Sequence, residues 1–106
     1  LLGRDSVTIN SGGEKIFAEE VEQALAHHPD VYDVIVVGRP SEQWGQEVVA
    51  IVQLAEGATV SDDDLIAEAV THIARYKLPK AFIYRDALVR SPAGKADYRW
   101  ARDQAL

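Results

Sequence analysis

The fold of this chain is decided by eight residues that read Val31-Tyr32-Asp33-Val34-Ile35-Val36-Val37-Gly38. Such β-branched residues favour extended backbone, and Gly38 and Pro40 end the run. Because a strand with one solvated face alternates apolar and polar residues, the unbroken apolar run at 34–37 predicts a strand buried on both faces.

A second run of the same kind follows at residues 47–54. The connection between the two runs, residues 39–46, is too long for a tight hairpin and short enough to keep the strands neighbours. We therefore expect an antiparallel pair. Trp44 in this connection has two interpretations, a loop anchor packed on the sheet or an aromatic residue that faces a ligand.

Helices are predicted on both sides of this strand pair in the chain. Residues 17–28 carry an apolar stripe at helical spacing, formed by Val21, Ala24, Leu25 and His28. Glutamates in the first turns, which suit the helix dipole, are interpreted as a solvated face: Glu19, Glu20 and Glu22.

The second helix begins at Ser61, a good N-cap followed by acids at 62–64. Its buried stripe is predicted as Leu65, Ile66, Ala69, Val70 and Ile73. We interpret residues 62–64 as a helix start and not as a metal triad, because adjacent side chains on a helix point in different directions.

The rest of the chain predicts a third strand at 81–84, an exposed loop at 90–95 and a last helix capped by Asp97, with Tyr98, Ala101 and Ala105 on one side. Together with two short strands at the N-terminus, this order predicts an α+β domain. We expect an N-terminal two-stranded hairpin, then a three-stranded sheet with flanking helices.

The turn of the N-terminal hairpin reads Ser11-Gly12-Gly13-Glu14. These residues tolerate positive φ, and adjacent glycines also allow another backbone or a ligand to approach closely. A purely structural hairpin and a ligand-binding loop both remain open on spacing alone.

Composition excludes several function classes. The 106 residues suffice for one domain, and they include no cysteine, so disulfides, thiolate catalysis and cysteine–zinc sites are ruled out. Three histidines make a poor metal set, so no metal site is expected, and no apolar window is long enough for a transmembrane segment.

Charge is distributed unevenly along the chain. Residues 1–74 carry three Lys or Arg against fourteen Asp or Glu, and residues 75–106 carry eight against three. The basic third either faces anions or complements the acidic part within the fold. No nucleic-acid partner is expected, since no recognition signature accompanies the basic residues.

Four groups of segments follow one another along nearly the whole chain: Gly3-Arg4 with Ile9, 11–14 and 18–22; 36–40 with Trp44-Gly45 and 48–50; Tyr76-Lys77-Leu78-Pro79-Lys80; and Pro92-Ala93-Gly94-Lys95. In this order they resemble the C-terminal domain of the acyl-adenylate-forming enzymes, the superfamily of acyl-CoA synthetases, peptide-synthetase adenylation domains and firefly luciferase.

The resemblance implies a two-step ligase reaction. A fatty or other carboxylic acid attacks ATP to give an acyl-adenylate and pyrophosphate, and the thiol of CoA then displaces AMP. In the family a large N-terminal domain binds ATP, Mg²⁺ and the acyl group, while the small domain swings between two states. On this basis residues 1–6 end a missing N-terminal domain and include the hinge, residues 7–106 are the mobile domain, and the piece alone is inactive and cytoplasmic.

Site residues are carried over from the family by position. Lys95 would be the catalytic lysine of adenylation, Arg4 would contact the nucleotide ribose, and Ser6 would be the hinge. The CoA-tunnel loop of the second step would be Ser11, Gly12, Gly13 and Glu14. The hinge position usually holds Asp or Lys, so Ser6 is a departure. Asn10 is a second one, because some members carry a lysine there.

Two other functions stay open. The chain would be a stand-alone module that holds CoA or another polyanion, or part of an adenylation enzyme that serves a carrier protein. A module is expected to begin with a methionine or a polar lead-in, whereas this sequence begins inside a motif.

Overall fold

A computed structural model describes residues 8–90, 92, 94 and 96–106 of the chain. Its elements in chain order are strands β1 (Thr8–Ser11) and β2 (Glu14–Phe17), helix α1 (Ala18–Ala26), strands β3 (Val31–Ser41) and β4 (Gly45–Leu54), helix α2 (Asp62–Ala69), a 3₁₀ turn (Arg75–Lys77), strand β5 (Ala81–Tyr84) and helix α3 (Tyr98–Ala105).

Strands β3 and β4 form a long antiparallel hairpin that pairs from Val31 and Leu54 to Ser41 and Gly45. The expectation that their connection is too long for a tight hairpin was wrong, because both strands continue into it and leave only residues 42–44 as the turn. Two features close this turn. The backbone N–H of Trp44 donates to the Ser41 hydroxyl at 3.2 Å, and Gly45 adopts a φ of 82° that suits a three-residue loop.

Within the described residues, the five strands form one mixed sheet with β4 at its centre. β3 pairs along one edge of β4, and the other edge is divided between two partners. At its start, β4 pairs with the N-terminal hairpin through Gly45 and Ser11. At residues 49–52 it pairs in parallel with β5. The predicted α+β class, hairpin and flanking helices are confirmed, with the hairpin joined to the main sheet.

The prediction of a strand buried on both faces is confirmed for β3. Val34 and Val36 belong to a core on one face of the sheet, where they meet α1 and α2. Ile35 and Val37 belong to a core on the other face, which contains Ala101 and Ala105 of α3. Successive side chains of a strand point to opposite faces, so an unbroken apolar run supplies both cores.

Helices α2 and α3 begin at the predicted caps, whereas α2 ends at Ala69, before the end of the apolar stripe predicted to Ile73. Ser61 Oγ accepts from the backbone N–H of Asp64 at 3.2 Å and the Asp64 carboxylate accepts from that of Ser61 at 3.1 Å, which completes a capping box. Asp97 caps α3 through the N–H of Trp100 at 3.0 Å. In the part of the chain that the structure describes, no helix has the length and apolar character needed to cross a membrane.

Candidate functional site

The turn at residues 11–14, here called the glycine turn, joins β1 to β2. Gly12 and Gly13 have φ values of 58° and 85°, both in the left-handed region that only glycine adopts without strain. Ser11 pairs with Glu14 at the ends of the two strands. Two consecutive residues of positive φ match the twist of a two-residue hairpin, which explains the double glycine locally.

Gly12 is also required by its contact with Trp44. Its backbone N–H donates to the carbonyl of Trp44 at 2.9 Å. A Cβ on Gly12 would lie 2.9 Å from the Trp44 ring, whereas a Cβ on Gly13 would meet no atom within 4 Å. The absence of a side chain at Gly12 therefore allows the turn to pack against the Trp44 indole, whereas the space beside Gly13 is open.

Trp44 is a loop anchor, the first of its two predicted interpretations, and a ligand-facing role stays a prediction. It anchors the glycine turn to the β3–β4 hairpin, and 38% of its surface remains exposed. The ammonium of Lys80 lies 5.1 Å from the centre of its ring, within the range of a cation–π contact. Sequence reasoning did not connect these two residues. Their pairing depends on the parallel β4–β5 register, which brings the N–H of Lys80 2.7 Å from the Val48 carbonyl.

The segment before Lys80 is fixed to helix α1. The ammonium of Lys77 lies 2.7 Å from the Glu20 carboxylate, and this hydrogen bond raises the pKa of Lys77 above its usual value. Tyr76 leaves 47% of its surface exposed. The glycine turn, Trp44 and Lys80 thus form a surface on which a cation and an exposed aromatic ring adjoin a backbone that a ligand can approach closely.

The second region is the base of the loop at residues 91–95, formed by Arg90 and Ala96. Arg90 and Ala96 form an antiparallel bridge across the loop. The guanidinium of Arg90 donates to both carboxylate oxygens of Asp33 on β3, one of them at 2.8 Å through Nε. A fork of this kind fixes the orientation of the guanidinium as well as its position.

Glu22 lies beside this loop base, and its assignment to a solvated face was wrong. Its side chain is partly buried and accepts from the backbone N–H of Val36 at 2.9 Å and from the Tyr98 hydroxyl at 3.0 Å. Burial raises the pKa of Glu22 to about 7, against the lowering effect of these hydrogen bonds. The signal was its spacing, since position 22 lies one helical turn after the buried Ala18.

Of the predicted site residues, the structure describes Ser11, Gly12, Gly13 and Glu14 and brings them together at the glycine turn. Arg4, Ser6 and Lys95 lie outside the described residues. Among the residues that are described, no three His, Asp or Glu side chains form a group that could hold a metal ion.

A comparison with protein-family models matches residues 20–95 to the AMP-binding enzyme C-terminal domain. The medium-chain acyl-CoA ligase Mig of Mycobacterium avium is 68% identical over 106 residues, all of this chain and 19% of the ligase. The 3-oxocholest-4-en-26-oate–CoA ligase of Rhodococcus rhodochrous is 55% identical over 104 residues, 98% of this chain and 19% of that protein.

A solved structure of a Mycobacterium tuberculosis fatty acyl CoA synthetase superposes on this chain with a TM-score of 0.84 at 38% identity. The match covers 92% of this chain and 19% of that structure. The chain therefore spans about a fifth of the length of the relatives that it matches.

Proposed function

This chain belongs to the AMP-binding enzyme C-terminal domain family, and we propose that it is the mobile C-terminal domain of an ATP-dependent acyl-CoA ligase. The ligase joins a fatty or other carboxylic acid to ATP, releasing pyrophosphate, and then transfers the acyl group from AMP to the thiol of CoA. The observation that carries this proposal is the 68% identity to a medium-chain acyl-CoA ligase along the entire chain.

In the first step, Lys95 is the catalytic residue. Its ammonium contacts the carboxylate and the α-phosphate, and stabilises the negative charge that develops as the carboxylate oxygen attacks phosphorus. Arg4 contacts the ribose of the nucleotide. ATP and its Mg²⁺ are held mainly by the larger N-terminal domain that we propose precedes residue 7.

In the second step, the glycine turn faces the pantetheine arm of CoA. The open space beside Gly13 supports this role, since a narrow tunnel needs a backbone without side chains at its wall. CoA also carries an adenine ring and phosphates. The exposed indole of Trp44 and the ammonium of Lys80, 5.1 Å from the ring centre, offer the stacking surface and the cation that such a group requires.

Ser6 is proposed as the hinge about which residues 7–106 swing, so that each loop enters the site in its own step. A serine accepts the change in φ and ψ, and because its side chain is uncharged, the swing does not change the hydration of a charge at this position. We place the ligase in the cytoplasm, where ATP and CoA are supplied.

The test separates the two half-reactions in the full-length ligase that carries this chain. Lys95→Ala is expected to abolish acyl-adenylate formation, which is measured by the release of pyrophosphate. The same variant should still convert supplied acyl-adenylate to thioester. Lys80→Ala is the matched control, because it removes a lysine from the other surface. It is expected to leave adenylation intact and to raise the KM for CoA by about tenfold, the effect of one lost charged contact. Loss of both half-reactions in Lys95→Ala, or of neither, contradicts the assignment.

A second candidate is a stand-alone CoA-binding module, favoured by the position of Trp44 and Lys80 on this chain. Calorimetry of the 106-residue chain with CoA tests it, since tight binding supports a module. The ligase proposal expects no thioester from this chain with ATP, fatty acid and CoA. A third candidate is part of an adenylation enzyme that serves a carrier protein. Transfer of the acyl group to a carrier protein in preference to free CoA would identify it.

A further inference from the structure

The outer edge of β3 is covered by two carboxylates. Within the described residues β3 pairs with β4 alone, so the backbone N–H groups on its other side need partners. Asp33 Oδ1 accepts from the N–H of Val34 at 2.9 Å. Glu22 Oε2 accepts from the N–H of Val36, also at 2.9 Å. We call Asp33 and Glu22 the edge carboxylates.

Each edge carboxylate also holds a residue that flanks the loop at 91–95. Asp33 binds the guanidinium of Arg90, directly before the loop. Glu22 accepts from the hydroxyl of Tyr98 at 3.0 Å, three residues after the loop. The Arg90–Ala96 bridge and a hydrogen bond from the Asp97 N–H to the Val89 carbonyl at 3.3 Å join the two ends.

The loop is therefore attached to the sheet at both of its ends through the same strand edge. Arg90 Nη1 also reaches the carbonyl of Gly94 at 3.4 Å, within the loop itself. Exposed ion pairs contribute little to stability, but a two-pronged guanidinium–carboxylate contact restricts orientation strongly. The arrangement is suited to setting where the loop begins and ends.

We propose that the pairs Asp33–Arg90 and Glu22–Tyr98 are positioning residues for the adenylation step, which hold the loop base so that Lys95 reaches the reacting carboxylate and α-phosphate. The inference rests on the proposed function, in which Lys95 acts in adenylation. A reacting group misplaced by about 1 Å loses up to about a hundredfold in rate, so the loop base needs this support.

The chain supplies matched controls for both pairs. Tyr84 donates to the Asp62 carboxylate at 2.6 Å, a tyrosine–carboxylate contact away from the loop. Arg39 forms a second guanidinium–carboxylate pair with Glu47, between β3 and β4. Tyr98→Phe and Asp33→Asn are therefore compared with Tyr84→Phe and Glu47→Gln in the full-length ligase.

Adenylation and thioesterification from supplied acyl-adenylate are measured separately. Tyr98→Phe and Asp33→Asn are expected to lower kcat of adenylation by about ten- to a hundredfold, with the KM for ATP and thioesterification within about twofold of wild type. Both controls stay near the wild-type rate. Combining Asp33→Asn with Arg90→Gln is expected to cost no more than either change alone, because they break one contact.

Equal losses in both half-reactions, or equal losses in the controls, overturn the inference and indicate a purely structural role. Tyr98→Phe removes one oxygen atom only and keeps the test valid where Asp33→Asn fails to fold. Lys95→Ala distinguishes a failure of the proposed function from a failure of the positioning role. If it leaves adenylation intact, the proposed function fails; if it abolishes adenylation while Tyr98→Phe and Asp33→Asn do not reduce it, the positioning role alone fails.

Discussion

The glycine turn and the base of the loop at 91–95 are attached to the same sheet in different ways. Packing and backbone hydrogen bonds attach the glycine turn, whereas hydrogen bonds to carboxylate side chains attach the loop base. Gly12 is fixed by its N–H to the Trp44 carbonyl and by the indole beneath it. Arg90 and Tyr98 are fixed by two carboxylates on the edge of β3. The free energy that the first attachment contributes should not depend on pH or salt concentration over the ordinary range. The contribution of the second should depend on both.

The largest expected effect comes from breaking the packed attachment. Gly12→Ala places a Cβ 2.9 Å from the Trp44 ring at a φ of 58°. The clash and the backbone strain together are expected to destabilise the chain by about 3 kcal/mol. Gly13→Ala has the strain without the clash and is expected to cost about 1 kcal/mol. Urea unfolding of both variants measures the difference, and equal costs would show that Trp44 does not restrict the turn.

The second effect concerns Glu22 and pH. Burial raises its pKa to about 7 in the folded chain from 4.5, so the folded state binds this proton more tightly than the unfolded state does. The chain therefore loses stability from this group as pH rises from about 5 to about 7. Glu22→Gln removes that loss, so its stability relative to wild type is expected to rise by about 2–3 kcal/mol between pH 5 and pH 8, since each pKa unit corresponds to about 1.4 kcal/mol.

Unfolding of wild type and Glu22→Gln at a series of pH values measures this slope. Glu47→Gln is the control, since Glu47 is paired with Arg39, whose charge does not change over this pH range. A gap between wild type and Glu22→Gln that stays constant from pH 5 to pH 8 would contradict the burial of a titrating carboxyl.

The smallest effect is expected for the Asp33–Arg90 pair. Both side chains are partly exposed, and Asp33→Asn keeps an oxygen for the Val34 N–H. We expect a loss of stability below about 1 kcal/mol that falls further at about 1 M salt, where screening is strong. The cost of Gly12→Ala should not change with salt. A salt-independent loss in Asp33→Asn would mean that the hydrogen bonds, not the charges, attach the loop.

The fold could be predicted from the sequence wherever a local pattern determines it. The apolar run 34–37 fixed a strand between two cores, and Ser61 and Asp97 marked helix starts that the structure confirms. The length of the β3–β4 hairpin could not be read locally, because polar residues at its end continue the pairing. The parallel pairing of β5 with β4 depends on contacts distant in sequence.

The candidate site divides in the same way. The glycines of the turn could be identified from residue type, since positive φ demands them. The contact of Lys80 with Trp44 follows from the register of β4 and β5. The role of Glu22 follows from the docking of α1 and α3 on opposite faces of the sheet, where Glu22 and Tyr98 meet beside the same edge of β3. Neither register nor docking is encoded in a short motif. Arg4, Ser6 and Lys95 remain predictions from resemblance.

The division of one β4 edge between the N-terminal hairpin and β5 has a consequence for the order in which the chain folds. The β3–β4 hairpin is local and closes quickly, whereas residues 49–52 receive their parallel partner only after residues 55–80 have been made. Until Ala81–Tyr84 arrives, the middle of this strand, rich in valine and isoleucine, presents unpaired backbone to any other chain. A nascent or truncated chain that stops before Ala81 would therefore be prone to aggregate through this edge.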